Sequence, residues 1–275
     1  MFRTIEISDA RFERDGLRWV TVKSAALRGR GDMTLWVPAG LAPRGVVVLL
    51  HGVYGSHWAW SLKGGAHRTA ARMVSSGEIP PVVLAMPSDG LWGDGSGYLA
   101  HGGADYERWI VEEVPGAVRR AVPGVEAGVP VCVAGLSMGG YGALRLGCGH
   151  AGVFLAVSGH SSITRFEQLA DFVEEPLESY RAGAGAGGVM RDVLEVVLAN
   201  RGRLPRLRFD CGTEDPLIGA NRDLHRALER EGIAHEYREY PGGHEWGYWE
   251  EHLADTLRFF GAAISADSGG VNRSL

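Results

Sequence analysis

The stretch Pro130-Val-Cys-Val-Ala-Gly-Leu-Ser-Met-Gly-Gly-Tyr-Gly-Ala-Leu144 decides how this chain folds. A short apolar run enters Gly135-Leu-Ser-Met-Gly139 and leaves as small residues suited to a helix. A strand that becomes a helix within a few residues forces the serine backbone into a strained turn, and glycines two before and two after let strand and helix approach closely. The hydroxyl of Ser137 would then stand exposed at the carboxyl end of a sheet, as a nucleophile must. In 275 residues with 41 glycines, a chance Gly-x-Ser-x-Gly is expected about 0.4 times. The surrounding residues therefore have to carry the inference.

Outward from this turn the chain alternates apolar runs with helical patterns. An N-terminal pair of alternating segments, near 18–23 and 33–37, precedes apolar runs at 46–50, 82–86, 129–134, 153–157, 207–210 and 235–240. Helical patterns fall at 67–76, 106–122, 140–148, 189–200, 221–231 and 248–264. Continuous apolar runs suit strands covered on both faces, so the expected fold class is α/β: a mostly parallel, doubly wound sheet with N-terminal antiparallel strands and helices on both faces. In 106–122, Tyr106, Trp109, Ile110, Val114, Val118 and Val122 share one helical face. Pro115 inside that segment predicts a kink or break. One domain is expected over 1–264, with 161–204 as an insertion or flap and 265–275 as a disordered tail. The glycine run at 181–188 reads as a connector within the insertion.

Bulk properties exclude several classes. A net charge of -5 with both signs scattered argues against nucleic acid as partner, and Lys23 and Lys63 are the only lysines. The N-terminus lacks a secretory signal pattern and no apolar run is long enough to span a bilayer, so no membrane partner and a cytoplasmic location are expected. Three cysteines, an odd number, make a disulfide framework improbable, and Cys132 and Cys211 read as small core residues. No His-x-x-x-His, Cys-x-x-Cys or Walker-type lysine occurs, so neither metal nor other cofactor is expected. Self-association into a homo-oligomer stays open.

In a doubly wound sheet ligands bind beyond the carboxyl ends of the strands. The polar residues following each run are therefore the candidates. A serine nucleophile needs a base, a carboxylate to orient it and two N–H donors for the oxyanion. His244, in the glycine turn after the final strand, is the predicted base, with His160 as its rival. Asp215, past the preceding strand, is the predicted acid, with Glu214 as its rival; Asp210 reads as a strand-end acceptor. Val53, in the turn after the first parallel strand, and Met138, after the nucleophile, are the predicted oxyanion donors, with Tyr54 as an alternative to Val53. His51 is expected to brace that turn.

With these residues assembled, the chain resembles the α/β-hydrolase superfamily, and within it the esterase D-like esterases, which include tributyrin and acetyl esterases, S-formylglutathione hydrolases, feruloyl esterases and mycolyltransferases. Leu49-Leu-His-Gly-Val53, Gly135-Leu-Ser-Met-Gly-Gly-Tyr-Gly-Ala-Leu144, Cys211-Gly-Thr-Glu-Asp-Pro216 and Tyr240-Pro-Gly-Gly-His-Glu-Trp246 carry the resemblance, over roughly residues 35–260. It implies the same five roles for Ser137, Asp215, His244, Val53 and Met138. The segment 91–103 departs from the family in being longer and richer in glycine, and the cysteine that many S-formylglutathione hydrolases carry after the first parallel strand is missing.

The expected activity is that of a serine carboxylesterase on small-molecule, short-chain acyl esters, through an acyl-enzyme. Acyl transfer, or removal of sugar or feruloyl esters by the same triad, is the alternative; a non-catalytic hydrolase-like binding protein is a remote one. Trp58, Trp60, Trp92, Trp246 and Trp249 fall near the expected site loops. Tyr54, Trp92, His160 and Trp246 are the predicted substrate-binding residues.

Overall fold

A computed structural model describes residues 2–181 and 192–270. Nine strands form one sheet: β1 (Ile5–Ile7), β2 (Leu17–Ser24), β3 (Gly29–Trp36), β4 (Gly45–Leu50), β5 (Val82–Pro87), β8 (Val131–Leu136), β9 (Phe154–His160), β10 (Arg206–Gly212) and β11 (Glu236–Tyr240). The short pair β6 (Ala100–His101) and β7 (Ala104–Asp105) lies apart. The strand order is β1-β2-β3-β5-β4-β8-β9-β10-β11. Pairings from β1 to β5 are antiparallel, and those from β5 through β4 to β11 are parallel. This is the mixed, mostly parallel sheet of the α/β-hydrolase fold. The sequence missed β1 and the pair β6 and β7, whose two or three residues are too few for a period to register.

The central strands show why the apolar runs are continuous. On β4, Val46, Val48 and Leu50 pack into one core while Val47 and Leu49 pack into the other. On β8, Val131 and Val133 face the first core, and Cys132, Ala134 and Leu136 the second. Helices α4 (Val114–Ala121), α5 (Met138–Gly149), α7 (Val193–Ala199) and α8 (Ile218–Arg230) cover the first face. Helices α2 (Ala66–Ser75) and α9 (Trp246–Gly270) cover the second. Short helices α1 (Ala59–Leu62), α3 (Tyr106–Arg108) and α6 (Leu177–Arg181) complete the set. Among the described residues no helix is long and apolar enough to cross a membrane.

The predicted helix at 106–122 is interrupted where proline required. A π-helical turn, Trp109–Glu113, runs directly into α4, with Pro115 in its first turn. Proline has no N–H to donate and its ring collides with the carbonyl four residues back, so the wider turn absorbs the mismatch. The six residues assigned to its inner face are all buried. The predicted helix at 248–264 is longer at both ends, and α9 continues to Gly270. Residues 265–270 are thus helical and not a disordered tail, while 271–275 lie outside the described residues. So does the glycine connector from 182 to 188. Cys132, Cys148 and Cys211 are buried thiols without disulfides, and burial pushes the Cys132 thiol up to about 12.

Backbone contact at the turn after β8 explains its glycines. A Cβ on Gly135 would enter the Gly139 backbone, and one on Gly139 would enter the carbonyls of Leu50 and His51. Gly135→Ala is therefore expected to cost more than about 2 kcal/mol in urea unfolding. Gly219→Ala, in α8 with nothing within 4 Å of the new methyl, should cost nothing and add up to about 1 kcal/mol of helix stability.

Candidate active site

Ser137 joins β8 to α5 with φ 56° and ψ -118°, a conformation that L residues rarely adopt. Its N–H donates to the His160 carbonyl at 2.9 Å, and its carbonyl accepts from Tyr141 N–H at 3.0 Å and Ile163 N–H at 3.3 Å. The turn is thereby tied to β9, to its own helix and to the segment that follows β9.

Asp215 and His244 come from loops that touch. A Cβ on Gly212, at the end of β10, would strike the Gly242 carbonyl, so the two loop backbones lie in contact. Gly242 adopts φ 126°, open to glycine alone among ordinary residues. Glu214 fastens the junction: its N–H donates to the Gly242 carbonyl at 3.0 Å and its Oε2 accepts the Gly242 N–H at 2.8 Å. The rival acid therefore holds the histidine loop and leaves His244 to Asp215.

The three predicted residues form a continuous chain. His244 Nε2 lies 3.0 Å from Ser137 Oγ, and His244 Nδ1 lies 2.9 Å from Asp215 Oδ2. The carboxylate only accepts, so Nδ1 carries a proton and Nε2 faces the hydroxyl. The second oxygen of Asp215 accepts the Leu217 N–H at 2.8 Å. Burial works against the charge on Asp215, but the His244 hydrogen bond and charge, with Leu217 and Ser161, outweigh it and lower its pKa. The imidazole leans against Phe172, with ring centres 5.6 Å apart, and meets Trp249 edge-on at 5.0 Å.

His51 holds the facing turn. Its Nδ1–H donates to the Gly52 carbonyl at 2.7 Å and its Nε2 accepts the Asp89 N–H at 3.0 Å, so the ring is a fixed brace. The glycine-rich segment 91–103 wraps beneath: Tyr98 Oη donates to the His51 carbonyl at 2.9 Å, and Asp89 accepts N–H groups from Leu91 and Ser96. The Tyr54 N–H is committed to the Asp94 carbonyl at 2.8 Å, and Val53 lines the cavity beside Ser137. Met138 opens α5, where first-turn N–H groups lack intrahelical partners.

Ser137 and His244 open onto a cavity of about 210 Å3, whose walls include Val53, Tyr54, Trp58, Lys63, Phe172, Trp246 and Trp249. Of the four residues expected to bind substrate, Tyr54 and Trp246 line this cavity, and Trp92 and His160 do not. Trp92 turns inward onto His101 and Tyr180, with ring centres 4.4 and 5.0 Å away. His160 is wholly buried: its Nδ1–H donates to Asp210 and its Nε2 meets Thr256 Oγ1 at 2.9 Å. It is neither a cavity wall nor a base within reach of Ser137. Asp210 also accepts from Arg208 and, at 2.8 Å, from Tyr248 Oη. Phe172 and Lys63 escaped the sequence reading, because neither follows a strand or belongs to a motif. Among the described residues no group of His, Cys, Asp or Glu is arranged to hold a metal ion.

With this geometry in place, residues 28–260 match the family described as "Putative esterase". The chain belongs to that family. It is an esterase. An acetyl esterase of Caldicellulosiruptor saccharolyticus is 26% identical over 226 residues, which cover 77% of this chain and 81% of that protein. Among solved structures, a ferulic acid esterase superposes with a TM-score of 0.74 at 23% identity, covering 96% of this chain and 100% of its own. FphF, a fluorophosphonate-binding serine hydrolase of Staphylococcus aureus, superposes with a TM-score of 0.76 at 20% identity, covering 90% of this chain and 98% of its own. At these identities the two structures speak for the fold.

The buried charges of this esterase make its stability sensitive to acid. Burial would raise the Asp210 carboxyl, but His160 and Arg208 hold it at about 2; burial is likewise outweighed at Glu107 by His150 and Arg145, again at about 2. Both values lie below the range near 4 of an unfolded carboxylate, so the stabilisation is present above about pH 4 and is lost as pH falls toward about 2. Urea midpoints measured against pH should drop across that interval. The curve of Asp210→Asn should lie well below wild type at pH 7 and converge with it at about pH 2.

Proposed function

We propose that this esterase hydrolyses short-chain acyl esters through an acyl-enzyme on Ser137. The observation that carries the reading is the continuous Asp215–His244–Ser137 chain opening onto a cavity of about 210 Å3. Ser137 Oγ attacks the ester carbonyl as His244 Nε2 takes its proton. Asp215 holds the ring and balances the imidazolium. The oxyanion is met by the N–H groups of Val53 and Met138. Collapse expels the alcohol, which takes the proton from His244. Water then attacks the acyl-enzyme with His244 again as base, and Ser137 is released.

The size of the cavity supports a small acyl group. Sites for drug-sized ligands run from about 300 to 1,000 Å3, so about 210 Å3 suits an acetyl or butyryl group better than a long chain. Its walls, Trp58, Phe172, Trp246 and Trp249, offer aromatic surface to the substrate's apolar parts. The similarity to an acetyl esterase agrees with this size.

Ser137→Ala is expected to lower kcat/KM for p-nitrophenyl acetate by about 1,000-fold or more while the urea midpoint is retained. Undiminished turnover by that variant would refute the proposal. Across a series of p-nitrophenyl esters, kcat/KM should peak at acetate to butyrate and fall by about tenfold or more at octanoate. A rate rising steadily with chain length would refute the short-chain assignment.

A further inference from the structure

Lys63 is the one wall residue of the Ser137 cavity, among those described, that carries a permanent charge. Its position is held by the backbone. It caps the C-terminus of α1, its N–H donating to the Ala59 carbonyl at 2.9 Å. Gly64 follows, and a Cβ there would meet the Trp246 ring at 2.9 Å, so the turn lies flat against that indole. The Lys63 ammonium sits 5.5 Å from the centre of a Trp246 ring, within cation–π range. Trp246 meets Trp249 edge-on at 5.3 Å, and Trp249 meets His244 at 5.0 Å. A contiguous aromatic wall thus joins the cation to the base.

No carboxylate pairs with Lys63 among the described residues. Asp15 and Glu250 line a neighbouring groove that Lys63 borders. A cluster of acids surrounds Tyr54: Asp94 accepts the Tyr54 hydroxyl at 2.9 Å and the Glu174 N–H at 2.7 Å, and Glu175 lies close enough to raise the Tyr54 pKa. The mouth is therefore polarised. It has an unpaired cation beside Trp246 and acids beside Tyr54, with aromatic and backbone surface around the nucleophile. An anion on the substrate would gain at Lys63 and lose near Tyr54, which selects both the substrate and its orientation.

Resting on the hydrolytic reading above, we propose that Lys63 is a specificity-determining residue for esters that carry a carboxylate a few bonds from the scissile carbonyl. A sphere of about 210 Å3 is roughly 7 Å across, so one small molecule can span from Ser137 to the ammonium. The carboxylate could belong to the acyl or to the alcohol part, and two pairs of esters separate these. The acyl arm compares p-nitrophenyl hydrogen glutarate with its terminal amide. The alcohol arm compares 4-acetoxybenzoate with 4-acetoxybenzamide.

The quantity read is the ratio of kcat/KM for the anionic over the neutral ester, in wild type, Lys63→Arg, Lys63→Gln and Lys63→Glu. At low ionic strength the ratio in one arm is expected to fall about three- to tenfold in Lys63→Gln, to fall further in Lys63→Glu and to be kept in Lys63→Arg. Raising salt to about 0.5 M should shrink the wild-type preference toward that of Lys63→Gln. Lys63 is exposed, and matching circular dichroism spectra would exclude misfolding as the cause. If all four proteins give the same ratio in both arms while hydrolysing the neutral esters, the role of Lys63 is overturned and the hydrolytic reading stands. If wild type hydrolyses none of the four esters, the hydrolytic reading falls first.

Discussion

The backbone of Ser137 is the constraint on which the rest of the site depends. A serine at φ 56° and ψ -118° is strained by about 1–3 kcal/mol, and such a conformation persists only where its surroundings over-determine it. Here they do so from several sides. The His160 carbonyl takes its N–H, Tyr141 and Ile163 donate to its carbonyl, and the close approach of Gly139 to Leu50 and His51 presses α5 against the end of β4. The strain is offset by the sheet, and its result is a hydroxyl raised into the cavity beside His244.

That dependence gives the buried polar cluster behind the site a physical purpose. Asp210 lies with His160 in register across β10 and β9, and draws in Arg208 and Tyr248 as well. Buried charge is costly unless paired and hydrogen-bonded, and this carboxylate has a donor on every side. The cluster locks the ends of two strands: one delivers the His160 carbonyl to the Ser137 turn, and the other leads into the loop of Asp215. On the facing wall His51 does the same work with neutral hydrogen bonds, set between Gly52 and Asp89. Electrostatics and backbone contact together fix loops that would otherwise be mobile.

Much of this was legible in the sequence because strand ends and the chemistry coincide. Ser137 and Asp215 each follow an apolar run whose continuity reports burial on both faces, whereas His244 follows β11, a polar and largely exposed edge strand that the sequence marked only by its place before the glycine turn. His160 and Trp92 needed knowledge of side-chain direction. His160 lies at a strand end too, but on the last paired position of β9, where Asp210 claims it for the interior. Trp92 sits in a loop where Gly90, Gly93 and Gly97 adopt positive φ, and those turns fold it inward. Phe172 and Lys63 reach the cavity from segments with no periodicity to mark them. Proline at 115 announced a break, yet the form it took, a π turn, depends on how the helix packs against the sheet.

On the proposed mechanism, Ser137 is acylated by the ester and then deacylated by water, with His244 as the base in both steps. Rapid acid quench during turnover of p-nitrophenyl acetate, followed by peptide mass mapping, tests it most directly. An acetyl group is expected on the peptide bearing Ser137 in wild type, localised to that serine by fragmentation. The mechanism would be contradicted by turnover that continues with Ser137 unmodified at every quench time, or by stoichiometric acetylation at another side chain.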